Sequence, residues 1–154
     1  MRVVIAVVGK PRDRQLAAAI DDYETRAARY WPLDVVEVRE AGARGLTGDV
    51  VMEREGERLV ERIPPTGAVV LCDERGDGLT SPQSATMINA ARDSASDITF
   101  VIGGAFGLGA SVRARATRSI QLAPWTLPHE MARLVLAEQL YRAGTIIRGE
   151  PYHK

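Results

Sequence analysis

The chain has 154 residues, of which 45% are hydrophobic and 26% charged, as is ordinary for a globular protein with a proper core. No apolar run approaches the ~20 residues of a membrane-spanning helix, and the single cysteine, Cys72, excludes an internal disulfide and a thiolate metal cluster. The formal net charge is zero, although residues 101–154 carry 7 Lys or Arg against 3 Asp or Glu, and residues 1–100 carry 13 against 17.

Strand-like and helix-like segments alternate along the chain. The predicted strands are at 3–8, 34–40, 68–73, 98–102 and 119–122. The predicted helices are at 13–30, at 50–63 (charged), from the Thr80 cap to about 95, at 111–118 (short and basic) and at 128–147 (long). A mobile loop is expected at 42–48, a loop at 74–78 and a polar tail at the end of the chain. This alternation predicts an α/β fold with a mostly parallel sheet and helices on both faces.

We expect a single domain at 1–154. The N-terminal apolar run is too brief and too strand-like for a signal peptide, so the expected compartment is the cytoplasm. No His, Asp or Glu residues have metal-ligand spacing, and we expect neither a bound metal nor a membrane partner. The basic C-terminal part suits an anionic partner such as RNA, although a solvated helix face gives the same pattern.

The segment 98–109 is the strongest candidate for a ligand site. Its apolar, β-branched start predicts a buried strand, which opens into Gly103, Gly104, Gly107 and Gly109. Such a strand end can bring main-chain groups against a ligand, but a tight turn without a ligand is the alternative. The spacing is neither the dinucleotide fingerprint nor a Walker A loop, because no acidic residue follows about 20 positions on and no Lys-Ser/Thr follows the glycines.

The segment 122–129 is an apolar loop made rigid by proline. Pro124 fixes its own φ and biases Ala123 toward extended geometry. A rigid loop with exposed main-chain polar groups can recognise a flat base. The alternative is that Trp125 and Leu127 simply fill the core. In parallel sheets, ligands lie beyond the carboxyl ends of strands, so three strand ends are candidate ligand sites, namely Leu71–Asp73, Gly103–Gly104 and Leu122–Leu127.

Four motifs taken together resemble one known family. They are the segment from Phe100 to Leu108, the segment from Leu122 to His129, the residues Leu140-Tyr-Arg-Ala143 and the end Pro151-Tyr-His-Lys154. They are similar to those of the RlmH family of SPOUT-class methyltransferases, which modify pseudouridine in large-subunit ribosomal RNA, and the similarity covers essentially the whole chain. Some members carry Pro-Glu where this chain has Ala105-Phe106, so those two side chains are not expected to do chemistry.

The resemblance implies a C-terminal trefoil knot, a feature that is very rare in proteins. It also implies a bent S-adenosylmethionine held by Leu71, Gly103, Gly104, Leu122, Ala123, Pro124, Trp125, Thr126 and Leu127. The implied assembly is a homodimer in which the second subunit completes the active site. The implied product is N3-methylpseudouridine, made in the ribosome.

His153 and Arg142 are the candidate catalytic residues. His153 can take a proton or bind a phosphate, unless the tail is disordered. Arg142 can offer a planar fork to a phosphate or a base edge, unless it only pairs with Glu138 on its helix. Tyr152 can stack on a base or pack the tail against the partner subunit.

Three further arginines and one histidine lie near these segments. Arg113 and Arg115, together with Arg118, are candidate phosphate contacts or solvated surface. His129 is expected to have a structural role more than a catalytic one. Two other functions stay open, namely a SPOUT enzyme acting on another RNA such as transfer RNA, and a non-catalytic ribosome-binding module.

Overall fold

The computed structural model describes residues 1–154. The strands are β1 (Val3–Val8), β2 (Leu33–Val38), β3 (Ala68–Gly78), β4 (Ile98–Ile102) and β5 (Arg118–Gln121). The helices are α1 (Arg14–Ala27), α2 (Gly48–Arg62), α3 (Ser81–Asp93), α4 (Ala110–Arg113) and α5 (His129–Ile147).

The five strands form one sheet in the order β2-β1-β4-β3-β5, and every pairing is parallel. The predicted α/β class with a mostly parallel sheet is therefore confirmed. β1 is buried along its whole length because β2 and β4 flank it and helices cover both of its faces.

Alternate strand residues feed two core layers, one on each face of the sheet. One layer joins Val3, Ile5, Val7, Val70, Ile98, Phe100 and Ile102 to side chains of α1, α3 and α5, and it includes Trp31. The other joins Ala6, Val8, Val69, Leu71 and Val101 to side chains of α2 and α4. The expectation of helices on both faces is confirmed.

Local signals in the sequence explain where two helices begin. The Asp13 side chain accepts hydrogen bonds from the backbone N–H groups at the start of α1. Thr80 and Gln83 form the predicted capping box of α3. Trp31 lies just after α1, is 2% exposed, and donates its indole N–H to the Leu140 carbonyl oxygen at 2.9 Å, which joins α1 to α5.

A buried ion-pair group also fixes α5. The Arg133 guanidinium lies 2.7 Å from a Glu24 carboxylate oxygen on α1 and 2.8 Å from a Glu37 oxygen on β2. Because Arg133 is 7% exposed, these carboxylates satisfy a charge that would otherwise be costly to bury. α5 therefore has a fixed position against the sheet.

Two predicted elements differ most from those in the structure. The segment 74–78 is not a loop but the end of β3, where a register shift between Cys72 and Asp77 keeps the strand paired with β5. Gly76 permits this, because a Cβ there would lie 2.6 Å from the Ile120 backbone. The helix predicted at 111–118 is only α4, because the Thr117 backbone N–H donates to the Val69 carbonyl oxygen and draws the chain into the sheet before Arg118.

None of the five helices is both long and apolar enough to cross a membrane.

Candidate functional site

A cleft of about 750 Å³ lies at the carboxyl ends of β3, β4 and β5. That volume is within the ~300–1,000 Å³ usual for a small-molecule site. It is lined by Met52, Cys72, Asp73, Glu74, Arg75, Ile102, Gly103, Gly104, Ala105, Phe106, Gly107, Leu108, Arg113, Leu122, Ala123, Trp125, Thr126, Leu127, Pro128, His129 and Ala132. The three chain segments expected to meet at this edge of the sheet do meet there.

Most of the residues expected at a cofactor lie on this cleft, but two do not. Gly103, Gly104, Leu122, Ala123, Trp125, Thr126 and Leu127 line it. Leu71 is 2% exposed and packs into the core layer under α2, and Pro124 lies outside the lining. The next two residues of β3, Cys72 and Asp73, line the cleft in place of Leu71.

The glycine segment forms a tight turn whose shape depends on the missing Cβ atoms. A Cβ on Gly103 would lie 2.4 Å from the Gly107 carbonyl oxygen, and one on Gly104 would lie 2.4 Å from a Glu55 carboxylate oxygen. Gly107 has φ +93° and donates its N–H to the Gly104 carbonyl oxygen at 3.1 Å. These glycines therefore exclude side chains from the protein side of the turn, and the main chain forms one wall of the cleft.

The end of β3 connects the two loops that border the cleft. Asp73 pairs with Arg113, whose Nε donates to the Leu108 carbonyl oxygen at 2.9 Å. Thr126 donates its hydroxyl to the Glu74 carboxylate at 2.5 Å. Burial alone would raise the pKa of Asp73, but the backbone N–H of Arg75 and the Arg113 guanidinium hold that pKa below its ordinary value. Asp73 is thus an anion that already has partners, and Arg113 uses its Nε and Nη2 in these contacts.

Two aromatic rings stand at the rim of the cleft. Trp125 is 77% exposed and Phe106 is 51% exposed. The alternative in which Trp125 fills the core is therefore wrong. Phe106 lies against Gly48 at the start of α2, where a Cβ would be 2.6 Å from its ring. Rings at this position can cover a ligand or contact a partner.

Unpartnered polar atoms are buried behind the glycine turn. Glu55 on α2 is 4% exposed, and its Oε1 accepts a hydrogen bond from the Ala41 backbone N–H at 3.0 Å. Its Oε2, the hydroxyl of Ser111 and Nε2 of His129 are buried without a hydrogen-bond partner. Burial raises the pKa of Glu55 above its ordinary value, and the Ala41 N–H opposes that rise.

At pH values above the raised pKa of Glu55, Glu55→Gln is expected to stabilise the protein by about 1–3 kcal/mol, because the wild type then buries a charged oxygen without a hydrogen-bond partner. Because the pKa of Glu55 is raised by folding, the folded state binds its proton more tightly. The wild type therefore loses stability as the pH rises through that pKa, and the variant does not. Thermal unfolding between pH 4 and pH 9 measures this, with the exposed Glu57→Gln on the same helix as control. Parallel curves for wild type and Glu55→Gln would contradict the expectation.

The candidate catalytic residues lie on a different part of the molecule. Arg142, near the end of α5, pairs with Glu138 and has its Nη1 3.4 Å from Nδ1 of His153. The Tyr152 ring contacts the Tyr141 ring edge-on, with centroids 4.6 Å apart. The tail is therefore packed on its own chain through Tyr152, while His153 is exposed.

The structure separates the tail from the cleft within one chain. His129 begins α5 at the cleft, and Arg142 lies thirteen positions further along that helix. At 1.5 Å per residue, the separation along the helix axis is about 20 Å. Of the three arginines predicted as phosphate contacts, Arg113 lines the cleft. Arg115 donates to the Pro64 carbonyl oxygen at 3.0 Å, Arg118 pairs with Asp77 at 3.4 Å, and neither lines the cleft.

Two charged residues of the cleft were not predicted from the sequence. Glu74 and Arg75 line the cleft because β3 continues where a loop was expected. Cys72 and Asp73 lie in the strand end Leu71–Asp73 that was expected to border a ligand, whereas nothing local in the sequence indicates that the strand extends beyond it. No group of three or more His, Cys, Asp or Glu side chains is arranged to hold a metal ion.

A parallel α/β sheet with a glycine-walled cleft at its carboxyl edge defines the class as a small-ligand-binding α/β protein. Comparison of the sequence gives the family, since the family described as "Predicted SPOUT methyltransferase" matches residues 1–153. The chain therefore belongs to the SPOUT methyltransferase family, which confirms the family and the class of enzyme expected from the motifs.

Similar proteins of known name cover the whole chain. The chain is 62% identical over 154 residues to a protein of Gemmatimonas aurantiaca named Ribosomal RNA large subunit methyltransferase H, with 100% of both chains covered. It is 46% identical to a protein of the same name from Geobacter metallireducens, with 99% of both covered. Among solved structures, a probable methylase family protein from Haemophilus influenzae has a TM-score of 0.56 at 13% identity, covering 99% of this chain and 70% of the other, which supports the fold alone.

Proposed function

We propose that the protein transfers a methyl group from S-adenosylmethionine to N3 of a pseudouridine in large-subunit (23S) ribosomal RNA, on the assembled ribosome. The observation that carries the proposal is the glycine-walled cleft in a chain that is 62% identical to a protein named Ribosomal RNA large subunit methyltransferase H. The 154 residues form one five-stranded sheet with its helices, and a large preformed surface such as the ribosome offers this compact shape more contacts than a small free RNA does.

The volume and lining of the cleft support a bent nucleoside cofactor as its ligand. Its wall at Gly103 and Gly104 is main chain, which can hydrogen-bond a flat base, and the loop at 122–127 supplies an apolar surface. We propose that these residues hold the cofactor and that the main chain at Cys72 acts where Leu71 was expected, because Leu71 is buried in the core. When bound, S-adenosylmethionine supplies a methyl group already activated by a sulfonium charge.

The protein's own residues have to hold the donor and acceptor in line and to manage one proton. The acceptor N3 of pseudouridine carries a hydrogen that leaves before or during methyl transfer. His153 is the proposed group to accept it or to bind the adjacent phosphate, and Arg142 is the proposed donor to the oxygens beside N3, where negative charge develops. Tyr152 is the proposed stacking partner for a base, and Arg113 and Arg115 are the proposed phosphate contacts.

The proposed active site needs a second copy of the chain. Within one chain, Arg142 lies about 20 Å along α5 from the cleft, which is too far for a methyl transfer between the two regions. A symmetric homodimer can bring the tail of one subunit to the cleft of the other. The proposal therefore places the cofactor on one subunit and the tail residues on its partner.

A mixed dimer tests this arrangement. One subunit would carry Gly103→Ala in the cleft, and the other His153→Ala in the tail, with two affinity tags to isolate the heterodimer. If the site forms between subunits, one of the two sites stays intact, and about half of the wild-type activity is expected although each homodimer is inactive. An inactive heterodimer would mean that each subunit uses its own tail.

We also propose that the protein works in the cytoplasm, where ribosomes are found, and that the C-terminal part forms the trefoil knot implied by the resemblance. Family membership and the meeting of the 103–109 and 122–129 segments at one cleft support the knot. A crystal structure in which the chain reaches α5 without passing through another loop would contradict it.

Mass-spectrometric mapping of methylated nucleotides tests the function as a whole. The protein would be incubated with S-adenosylmethionine and with ribosomes, isolated ribosomal RNA or transfer RNA, each prepared from cells that lack the modification. We expect one new methyl group, on a pseudouridine of the large subunit, with the ribosome as the best substrate. Methylation of transfer RNA alone would favour another RNA substrate, and calorimetry showing no binding of S-adenosylmethionine would favour a non-catalytic ribosome-binding module.

A further inference from the structure

The carboxylate of Glu138 on α5 is the centre of the contacts that hold the C-terminal tail. Its Oε1 accepts hydrogen bonds from Arg142 Nε at 3.0 Å and from the Tyr152 hydroxyl at 3.0 Å, and Arg142 Nη2 donates to the same oxygen. Its Oε2 accepts from Gln139 Nε2 at 2.7 Å. Because the side chain is 19% exposed, these donors replace most of its contact with water.

These contacts fix the orientation of the Arg142 guanidinium. Nε and Nη2 are bound to Glu138, so Nη1 is the nitrogen left to face His153, whose Nδ1 lies 3.4 Å away. The guanidinium carbon also lies 4.6 Å from the centre of the Tyr152 ring. Glu138 therefore holds Arg142 in the one pose that contacts both tail residues.

The same carboxylate holds the tail itself. The Tyr152 ring packs on Tyr141, and its hydroxyl lies 3.4 Å from the Tyr23 hydroxyl as well as 3.0 Å from Glu138. Burial, then the hydrogen bonds of Tyr23 and Glu138, raise the pKa of Tyr152 well above its ordinary value, so the hydroxyl remains a donor. His153 follows directly in the chain and is placed by this anchor.

An ordinary exposed pair on a helix does not have these properties. Asp22 and Arg26 form such a pair on α1 at 2.8 Å, with the Asp22 side chain 52% exposed, and no tail residue bonds to it. Exposed pairs at this spacing contribute about 0.3–0.5 kcal/mol and fix little. The convergence of Arg142 and Tyr152 on one oxygen of Glu138 indicates a role in placing both.

Building on the proposed function, we propose that Glu138 is a positioning residue for the tail half of the active site. It does not touch the RNA or the cofactor. It orients Arg142 and anchors Tyr152, so that Arg142 and His153 approach the target base in the partner's cleft in one fixed arrangement.

Single-turnover methylation of ribosomes by Glu138→Ala and Glu138→Gln tests this role. We expect the rate of methyl transfer to fall by about 10–100-fold in Glu138→Ala, and less in the isosteric Glu138→Gln, which keeps an acceptor oxygen. The KM for ribosomes and the affinity for S-adenosylmethionine should change by less than about threefold. Hydrogen exchange of the amides at 150–154 should become faster. Asp93→Ala on α3, which loses only a side-chain bond with Asn89, is the matched control.

A double-mutant cycle of Glu138→Gln with Tyr152→Phe adds a readout that a purely structural role would not move. If Glu138 acts through the Tyr152 hydroxyl, the two losses in rate should be clearly less than additive. If the wild type is active and Glu138→Ala keeps the full rate, the positioning role is overturned while the proposed function stands. This holds whether or not hydrogen exchange of the tail becomes faster. A wild type that does not methylate ribosomes would overturn the proposed function and this role with it.

Discussion

Replacing His153 by Ala is expected to lower methyl transfer to ribosomes by about 10²–10⁴-fold, with Arg142→Ala causing a loss of similar size. His153 is exposed at the end of a tail that is held in place, and Arg142 directs its remaining nitrogen toward it. Neither residue lines the cleft, so the affinity for S-adenosylmethionine should stay within about twofold of wild type. Rapid-quench kinetics with radiolabelled cofactor and calorimetry measure the two quantities separately.

The control for these variants is Arg92→Ala, which removes a positive charge from α3 that contacts neither the tail nor the cleft. It should keep the wild-type rate. Unchanged turnover in His153→Ala and Arg142→Ala would remove both residues from the active site. A parallel loss of cofactor affinity would instead mean that the tail holds the cofactor as well as the RNA.

The second large effect is expected from Gly103→Ala, which should weaken S-adenosylmethionine binding by about 100-fold or more. The added methyl group would lie 2.4 Å from the Gly107 carbonyl oxygen, a main-chain atom that cannot move without opening the turn. The wall of the cleft would then be displaced, and methyl transfer would be lost with binding. Gly42→Ala is the control, because a Cβ there has no neighbour within 4 Å.

Gly104→Ala provides a graded comparison on the same turn. Its Cβ would meet a Glu55 side-chain oxygen at 2.4 Å, which lies at the end of a side chain and not on the main chain. The loss of affinity should be smaller than for Gly103→Ala, and the additional change Glu55→Ala should restore part of it. Full cofactor affinity in Gly103→Ala would show that the glycine turn is not the binding wall.

Most of the fold could be predicted because its signals are local. The apolar run Val3–Val8 and the capping box at Thr80 each specify an element without reference to the rest of the chain. The end of β3 could not be predicted in this way, because its residues are polar and continue as a strand only by pairing with β5. The early end of α4 has the same origin, since it depends on the contact between Thr117 and Val69.

The candidate site could be predicted in part. The sequence shows Gly103, Gly104 and the rigid loop at 122–127. Because ligands lie beyond the carboxyl ends of parallel strands, it also indicates the edge of the sheet at which these segments lie. The face of the sheet toward which Leu71 points could not be predicted without the register of the strands. The hydrogen bond between Glu138 and Tyr152 joins residues 14 positions apart, with the end of a helix and a turn between them. No periodicity in the sequence predicts that contact.

The two tryptophans occupy opposite surroundings, since Trp31 is 2% exposed between α1 and α5 and Trp125 is 77% exposed at the cleft. Their intrinsic emission should therefore separate into a blue component from the interior and a red component from the rim. Only the red component should be accessible to a soluble quencher such as acrylamide. Occupation of the cleft, or arrival of another molecule at its mouth, can then be followed in solution without a label, while the blue component reports independently whether the chain remains folded.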